Sequence, residues 1–184
     1  MDWSALSRTV SQILRHEPWL YELELDADGW VELAALLRAL RQASPLWRDV
    51  TESDLTTMIR RSSQKRHELA SGRIRATYGH SIPGRIVRRS VTPPPVLFHG
   101  TASESWPTIQ SEGLRPMHRQ YVHLSADYAK AFAVGSRKSR NPLVLIIDAA
   151  NAWKSGLPFY EGNNAVWLAD SIPPVFLRPY AEST

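Results

Sequence analysis

The chain has 184 residues, enough for one large domain or two small ones, and its 43% hydrophobic content implies a packed core rather than disorder. It contains no cysteine, which excludes disulfides, thiolate metal sites and a cysteine nucleophile. The formal charge of +4 suits a polyanionic partner such as nucleic acid.

Trp3, Leu6, Val10, Ile13 and Leu14 recur at helical spacing and Pro18 limits the run, so a helix is predicted over residues 3–16. Arg8 and Arg15 interrupt that apolar pattern, and no run approaches the roughly 20 apolar residues that span a bilayer, so the chain is expected to be soluble and cytoplasmic. Asp26-Ala27-Asp28-Gly29 signals a turn, followed by a second helix through Leu33, Leu36, Leu37 and Leu40 that Ser44-Pro45 stops. Thr51-Glu52-Ser53-Asp54 resembles a capping box before Leu55, Met58 and Ile59. Two strands, His67–Ala70 and Arg73–Tyr78, are joined by a Ser71-Gly72 turn. Three helices followed by a hairpin suggest a winged helix.

From Ile82 to Pro95 the chain carries Pro83, Gly84 and the triplet Pro93-Pro94-Pro95, a stiff segment that makes the best domain boundary. Beyond it, short apolar runs alternate with helical patches. These are Val96–His99, Trp106–Glu112, Tyr121–Leu124, Asp127–Val134, Leu143–Asp148, Val166–Leu168 and Val175–Leu177, a mixed α+β pattern.

Five clusters carry groups suited to chemistry. Arg15-His16 places a guanidinium, suited to bidentate phosphate recognition, beside an imidazole that can exchange a proton near neutral pH; the ordinary alternative is a solvated helix end. Arg73 and Arg75 alternate onto one strand face, Gly79-His80-Ser81 follows, and with Lys65 and Arg66 they form a basic surface suited to an RNA backbone and a stacked base. Phe98-His99-Gly100-Thr101 ends an apolar strand, where glycine would let a backbone NH approach a phosphate or carboxamide. Tyr121, His123 and Ser125 share a strand face, and Arg137 lies in the loop after Val134-Gly135. Neither a Rossmann fingerprint nor a P-loop is present, and His80, His99, His118 and His123 do not show metal-ligand spacing, so no metal is expected.

In order and spacing these clusters resemble the NAD-dependent RNA (tRNA) 2'-phosphotransferase family from about Leu6 to Leu177. The resemblance rests on Leu14-Arg15-His16, Leu25-Asp26 with Gly29-Trp30-Val31, Ile74-Arg75-Ala76 with Gly79-His80-Ser81, His99-Gly100-Thr101, Val122-His123-Leu124-Ser125, Val134-Gly135 with Arg137, and Val166-Trp167-Leu168. Thr77-Tyr78 stand where the family usually has Asn-Gln, and Ala165 where it has glycine. The resemblance implies an α+β protein, with a winged-helix RNA-binding lobe over residues 1–90 and an ADP-ribosyltransferase-like mixed α/β NAD-binding lobe over residues 91–184.

It further implies a monomer that acts on 2'-phosphorylated RNA and consumes NAD as co-substrate. The family's catalytic Arg-His-Arg-Arg set falls on Arg15, His16, Arg75 and Arg137, with Arg119 as the competing position for the fourth member. His99, Gly100, Thr101, His123 and Ser125 would line the NAD pocket, and Lys65, Arg66, His80, Ser81 and Arg119 would contact RNA. Three alternatives stay open: an ADP-ribosyltransferase that modifies phosphorylated nucleic-acid ends or a small molecule, a non-catalytic winged-helix protein that binds nucleic acid, and an inactive structural relative.

Overall fold

A computed structural model describes residues 1–163 and 165–181, which divide into two compact units, Met1–Arg88 and a second that starts at Arg89. Both mix helices with antiparallel sheet, so the protein is α+β. No helix among the described residues is long and apolar enough to cross a membrane.

The first unit contains helices α1 (Trp3–Arg15), α2 (Leu33–Ala43) and α3 (Glu52–Arg61), with strands β1 (Trp30–Glu32), β2 (His67–Ala70) and β3 (Arg73–Ala76). Asp2 starts α1 by accepting the amides of Ser4 and Ala5, each at 2.9 Å. Thr51 and Asp54 start α3 with the expected capping box: the Thr51 amide donates to Asp54 Oδ2 at 2.9 Å and the Asp54 amide to Thr51 Oγ1 at 3.3 Å. Leu6, Val10, Ile13 and Leu14 of α1 meet Leu36 and Leu40 of α2, Leu55 and Met58 of α3, and Ile74 of β3 in one core. Each such side chain contributes roughly 1.5–3 kcal/mol on burial.

The sheet order is β1-β3-β2. Where a turn leading directly into a helix was expected, Trp30–Glu32 instead pairs with β3, and β3 stops at Ala76 rather than Tyr78. The segment expected to serve as a linker is partly tied down. The Val87 amide donates to the Ala27 carbonyl at 3.0 Å, the Arg88 guanidinium bonds the Thr77 carbonyl, and Ile86 is buried.

The second unit is built on β4 (Val96–Ala102), β5 (Val122–Ser125), β6 (Pro142–Asp148), β7 (Phe159–Asn163), β8 (Val166–Ala169) and β9 (Leu177–Pro179), in the order β7-β8-β5-β4-β6-β9. Helices α4 (Trp106–Glu112), α5 (Tyr128–Ser136) and α6 (Ala149–Lys154) complete it. Leu97, Val122, Leu124, Leu145, Ile147 and Phe159 form its core. Helix α6 and strand β7 were not anticipated, and the apolar run Val175–Leu177 divides into a single 3-10 turn and the start of β9.

Gly100 explains how α5 lies on β4. A Cβ at that position would stand 1.8 Å from the Ala131 carbonyl oxygen and 2.8 Å from the Gly135 nitrogen. Its missing side chain is therefore accounted for by helix packing rather than by the approach of a ligand.

Candidate active-site residues

In the first unit Arg15 is the last residue of α1 and His16 caps it. The Arg15 Nη2 donates to the Arg66 carbonyl at 3.3 Å, and its guanidinium lies 5.0 Å from the centre of the Tyr78 ring. Gly79, at a φ of +90°, lets the chain pass close to Arg15: a Cβ there would sit 3.5 Å from Nη1. Ser81 then returns to the helix end. Its amide donates to the Arg15 carbonyl at 2.9 Å, and its hydroxyl lies 2.8 Å from His16 Nδ1. Ser81, expected to touch RNA, thus holds the His16 ring in place.

Two more histidines stand behind this group. His67 is buried, with Nε2 3.0 Å from Ser11 Oγ; burial, and then the charges of Arg15 and Arg66, push it down to about 3. His80 is 3% exposed. Burial lowers it to about 3, with further repulsion from Arg88, Arg15, His16 and Arg75. It was expected to contact RNA, but enclosure by the Gly29 turn and Ile86 leaves it no exposed ring to offer.

Arg73 and Arg75 share the outer face of β3, as their alternation predicts, while Ile74 and Ala76 face the core. Arg75 is heavily engaged there. Its Nε and Nη2 both donate to Glu68 Oε2, at 2.9 and 2.7 Å, its Nη1 reaches the Asp28 carbonyl at 3.3 Å, and its guanidinium covers Trp30 at 4.5 Å. Arg66 differs: its Nη2 donates to the neutral Gln64 Oε1 at 3.1 Å. Lys65 is exposed and uses its carbonyl to accept the Thr77 hydroxyl at 2.9 Å.

In the second unit His99 Nδ1 donates to the His123 carbonyl at 2.8 Å, which fixes the proton on Nδ1 and leaves Nε2 as an acceptor. Burial, opposed by that hydrogen bond and reinforced by Lys138 and Arg119, lowers His99 to about 4. His123 Nδ1 likewise donates to the Tyr121 carbonyl at 3.0 Å. Thr101 is buried in β4, and the Ser125 hydroxyl donates to the Asp127 carbonyl at 2.9 Å. The positive charges of Lys138 and Arg119 both act on His99, and burial followed by Arg119 lowers the Lys138 ammonium. Arg137 caps α5 and is exposed. Lys138 had no marker in the sequence beyond its adjacency to Arg137.

The two units define an α+β protein whose candidate chemistry rests on Arg15 beside His16 in the first unit and on His99 with the charges of Lys138 and Arg119 in the second. The chain belongs to the RNA 2'-phosphotransferase, Tpt1 / KptA family, whose pattern matches residues 2–171. A probable RNA 2'-phosphotransferase of Acetivibrio thermocellus is 50% identical over 178 residues, covering 97% of each chain. One from Bacillus thuringiensis subsp. konkukian is 50% identical over 175 residues, covering 95% of this chain and 94% of its own. One from Pyrococcus furiosus is 39% identical over 168 residues, covering 91% and 90%. Membership makes the chain an enzyme, a transferase of the RNA 2'-phosphotransferase kind.

Proposed function

We propose that this enzyme removes an internal 2'-phosphate from RNA, of the tRNA splice-junction type, by transferring it to NAD. The observation that carries the reading is the Arg15, His16 and Ser81 arrangement within a chain that matches the family over residues 2–171. In the proposed sequence, a 2'-phosphate oxygen attacks C1'' of the nicotinamide ribose and nicotinamide departs, leaving a 2'-phospho-ADP-ribosyl RNA. The ribose 2''-OH then attacks phosphorus, the RNA 2'-oxygen leaves with a proton, and ADP-ribose 1'',2''-cyclic phosphate is released.

The first unit serves as a winged-helix RNA lobe and the second as an NAD lobe of the ADP-ribosyltransferase type. The donor set of the second unit fits NAD: neutral His99 offers Nε2 to a hydroxyl or amide hydrogen, and the Arg119 and Lys138 cations suit a pyrophosphate. His123 and Ser125 complete that surface, while Gly100 and Thr101 lie beneath it, packed against α5. Arg15 holds the 2'-phosphate, and His16, oriented by Ser81, donates the proton to the leaving 2'-oxygen. Cations preorganised around phosphorus stabilise the charge that develops there, each by several kcal/mol in comparable sites.

The resemblance assigns Arg75 and Arg137 to complete the catalytic set, but contacts favour a second reading. Glu68 already offsets the Arg75 charge, whereas Arg66 is joined to Arg15 through its carbonyl and its own hydrogen-bond partner is a neutral amide. In the second unit the charges of Lys138 and Arg119 act on His99, which favours Arg119 for the position beside the co-substrate. Arg66 and Arg119 are therefore the favoured third and fourth members.

The test is to incubate the protein with NAD and an internally 2'-phosphorylated oligonucleotide and to follow RNA phosphate, nicotinamide and ADP-ribose cyclic phosphate together. Loss of RNA phosphate matched by nicotinamide and cyclic phosphate is expected. Nicotinamide release with the ADP-ribosyl group left on the RNA would point to a pure ADP-ribosyltransferase, and RNA binding with no NAD consumption to a non-catalytic binder.

A further inference from the structure

Helix α1 carries Ser4, Ser7, Ser11 and Arg15 at successive spacings of three or four residues, which stack on one side of a helix. The middle and end of this stripe run beside residues 66 and 67, through the Ser11 contact to His67 and the Arg15 bond to Arg66. At its start a cavity of about 250 Å³ opens, lined by Trp3, Ser7, Met58, Arg61, Ser63 and Arg66. The Arg61 guanidinium lies 5.7 Å from the centre of the Trp3 ring. Ser7 is 6% exposed, so a hydroxyl occupies a buried position where packing alone would favour an apolar group. Between Arg60 and Arg66 the chain holds four cations and no carboxylate.

A solvated helix end would explain the charges but neither the cavity nor the buried hydroxyl within it. An aromatic ring, two guanidiniums and hydroxyl donors around one concave site match the parts of a nucleotide: a base for the ring face, a phosphate for the arginines and a ribose hydroxyl for serine. Ser7 and Arg15 are eight residues apart, about 12 Å along the axis, a span of a few nucleotides at roughly 3.4 Å each.

We propose that this cavity is a second RNA subsite, which takes a single-stranded nucleotide a few positions along the strand from the 2'-phosphorylated one and holds it through Arg61 and Trp3. The proposal rests on the reading of the chain as an enzyme acting on RNA. It makes substrate length, not only the 2'-phosphate, a determinant of affinity.

The experiment compares wild type with Arg61→Glu and Ser63→Glu, both at exposed positions, on a 2'-phosphorylated dinucleotide and on a 2'-phosphorylated single strand of about ten nucleotides. Either variant is expected to raise KM for the longer RNA roughly tenfold, with kcat and the dinucleotide KM unchanged, and Arg61→Glu to lower the slope of log affinity against log salt by about one. An unchanged KM for the longer RNA, or equal rises for both RNAs, overturns the subsite. Fluorescence anisotropy of the same strand without its 2'-phosphate tests binding apart from turnover. If wild type processes neither RNA yet the variants still bind the strand tenfold more weakly, the functional reading fails and the subsite stands; equal binding by all three proteins overturns the subsite.

Discussion

Glu68 lies across the hairpin from Arg75, and that pairing decides how a phosphate could be met in the first unit. The two-residue turn Ser71-Gly72, with φ values of +50° and +72°, fixes Ala70 opposite Arg73 and therefore Glu68 opposite Arg75. This register was legible in the sequence once the turn was recognised, and counting outward from it would have revealed the carboxylate that neutralises Arg75. Arg66, by contrast, looked like one more member of a basic run, because nothing in its spacing announces that its carbonyl receives Arg15. If Arg66 and Arg119 hold the reacting phosphate and the co-substrate, Arg66→Ala and Arg119→Ala should each lower kcat/KM about 100-fold or more, the cost of removing one preorganised donor. Arg75→Ala and Arg137→Ala should fall by only a few-fold, with all four proteins giving unchanged circular dichroism. A 100-fold loss confined to Arg75→Ala and Arg137→Ala would reinstate the assignment that the resemblance suggested.

Among the elements, those with complete local instructions were readable and those made by pairing alone were not. Helix α3 announced itself through Thr51 and Asp54, whose reciprocal cap is intact. Strand β1 is three residues long and exists because β3 accepts it as a neighbour, a long-range condition that no periodicity in Trp30-Val31-Glu32 encodes. Gly100 shows the same limit within a correctly anticipated strand: the residue reads as a ligand-approach glycine, but its neighbours are the α5 backbone. Gly100→Ala forces a Cβ onto a carbonyl oxygen rather than onto a flexible side chain, so α5 must lift from β4. A loss of about 1–3 kcal/mol, or more where the backbone cannot give, is expected in urea unfolding, with the midpoint lowered. An unchanged midpoint would mean that the helix moves away without cost and that this packing contributes little to the fold.

At the scale of the whole molecule, burial holds His67, His80 and His99 neutral and so makes stability depend on pH. His67 and His80 lie at about 3 and His99 at about 4, all below the ordinary value of 6.5 that each regains on unfolding. Between those limits the unfolded chain binds protons that the folded chain refuses, so the sign is fixed: stability is fully present above about pH 6.5 and is lost progressively as pH falls towards 4 and then 3. Each histidine contributes roughly 1.4 kcal/mol per pH unit within its window, or about 2 kcal/mol between pH 6.5 and 5. Two of the three belong to the first unit, which should therefore be the more acid-sensitive. Thermal unfolding at pH 7 and pH 5 should show Tm falling with acid, by an amount that a carboxylate-driven transition, centred near pH 4, would not produce in that range. His67→Gln removes one titrating group while retaining a polar side chain beside Ser11, so its Tm should start lower at pH 7 but change less between pH 7 and 5 than that of wild type. If the variant and wild type lose the same Tm over that interval, His67 is not refusing a proton in the folded state.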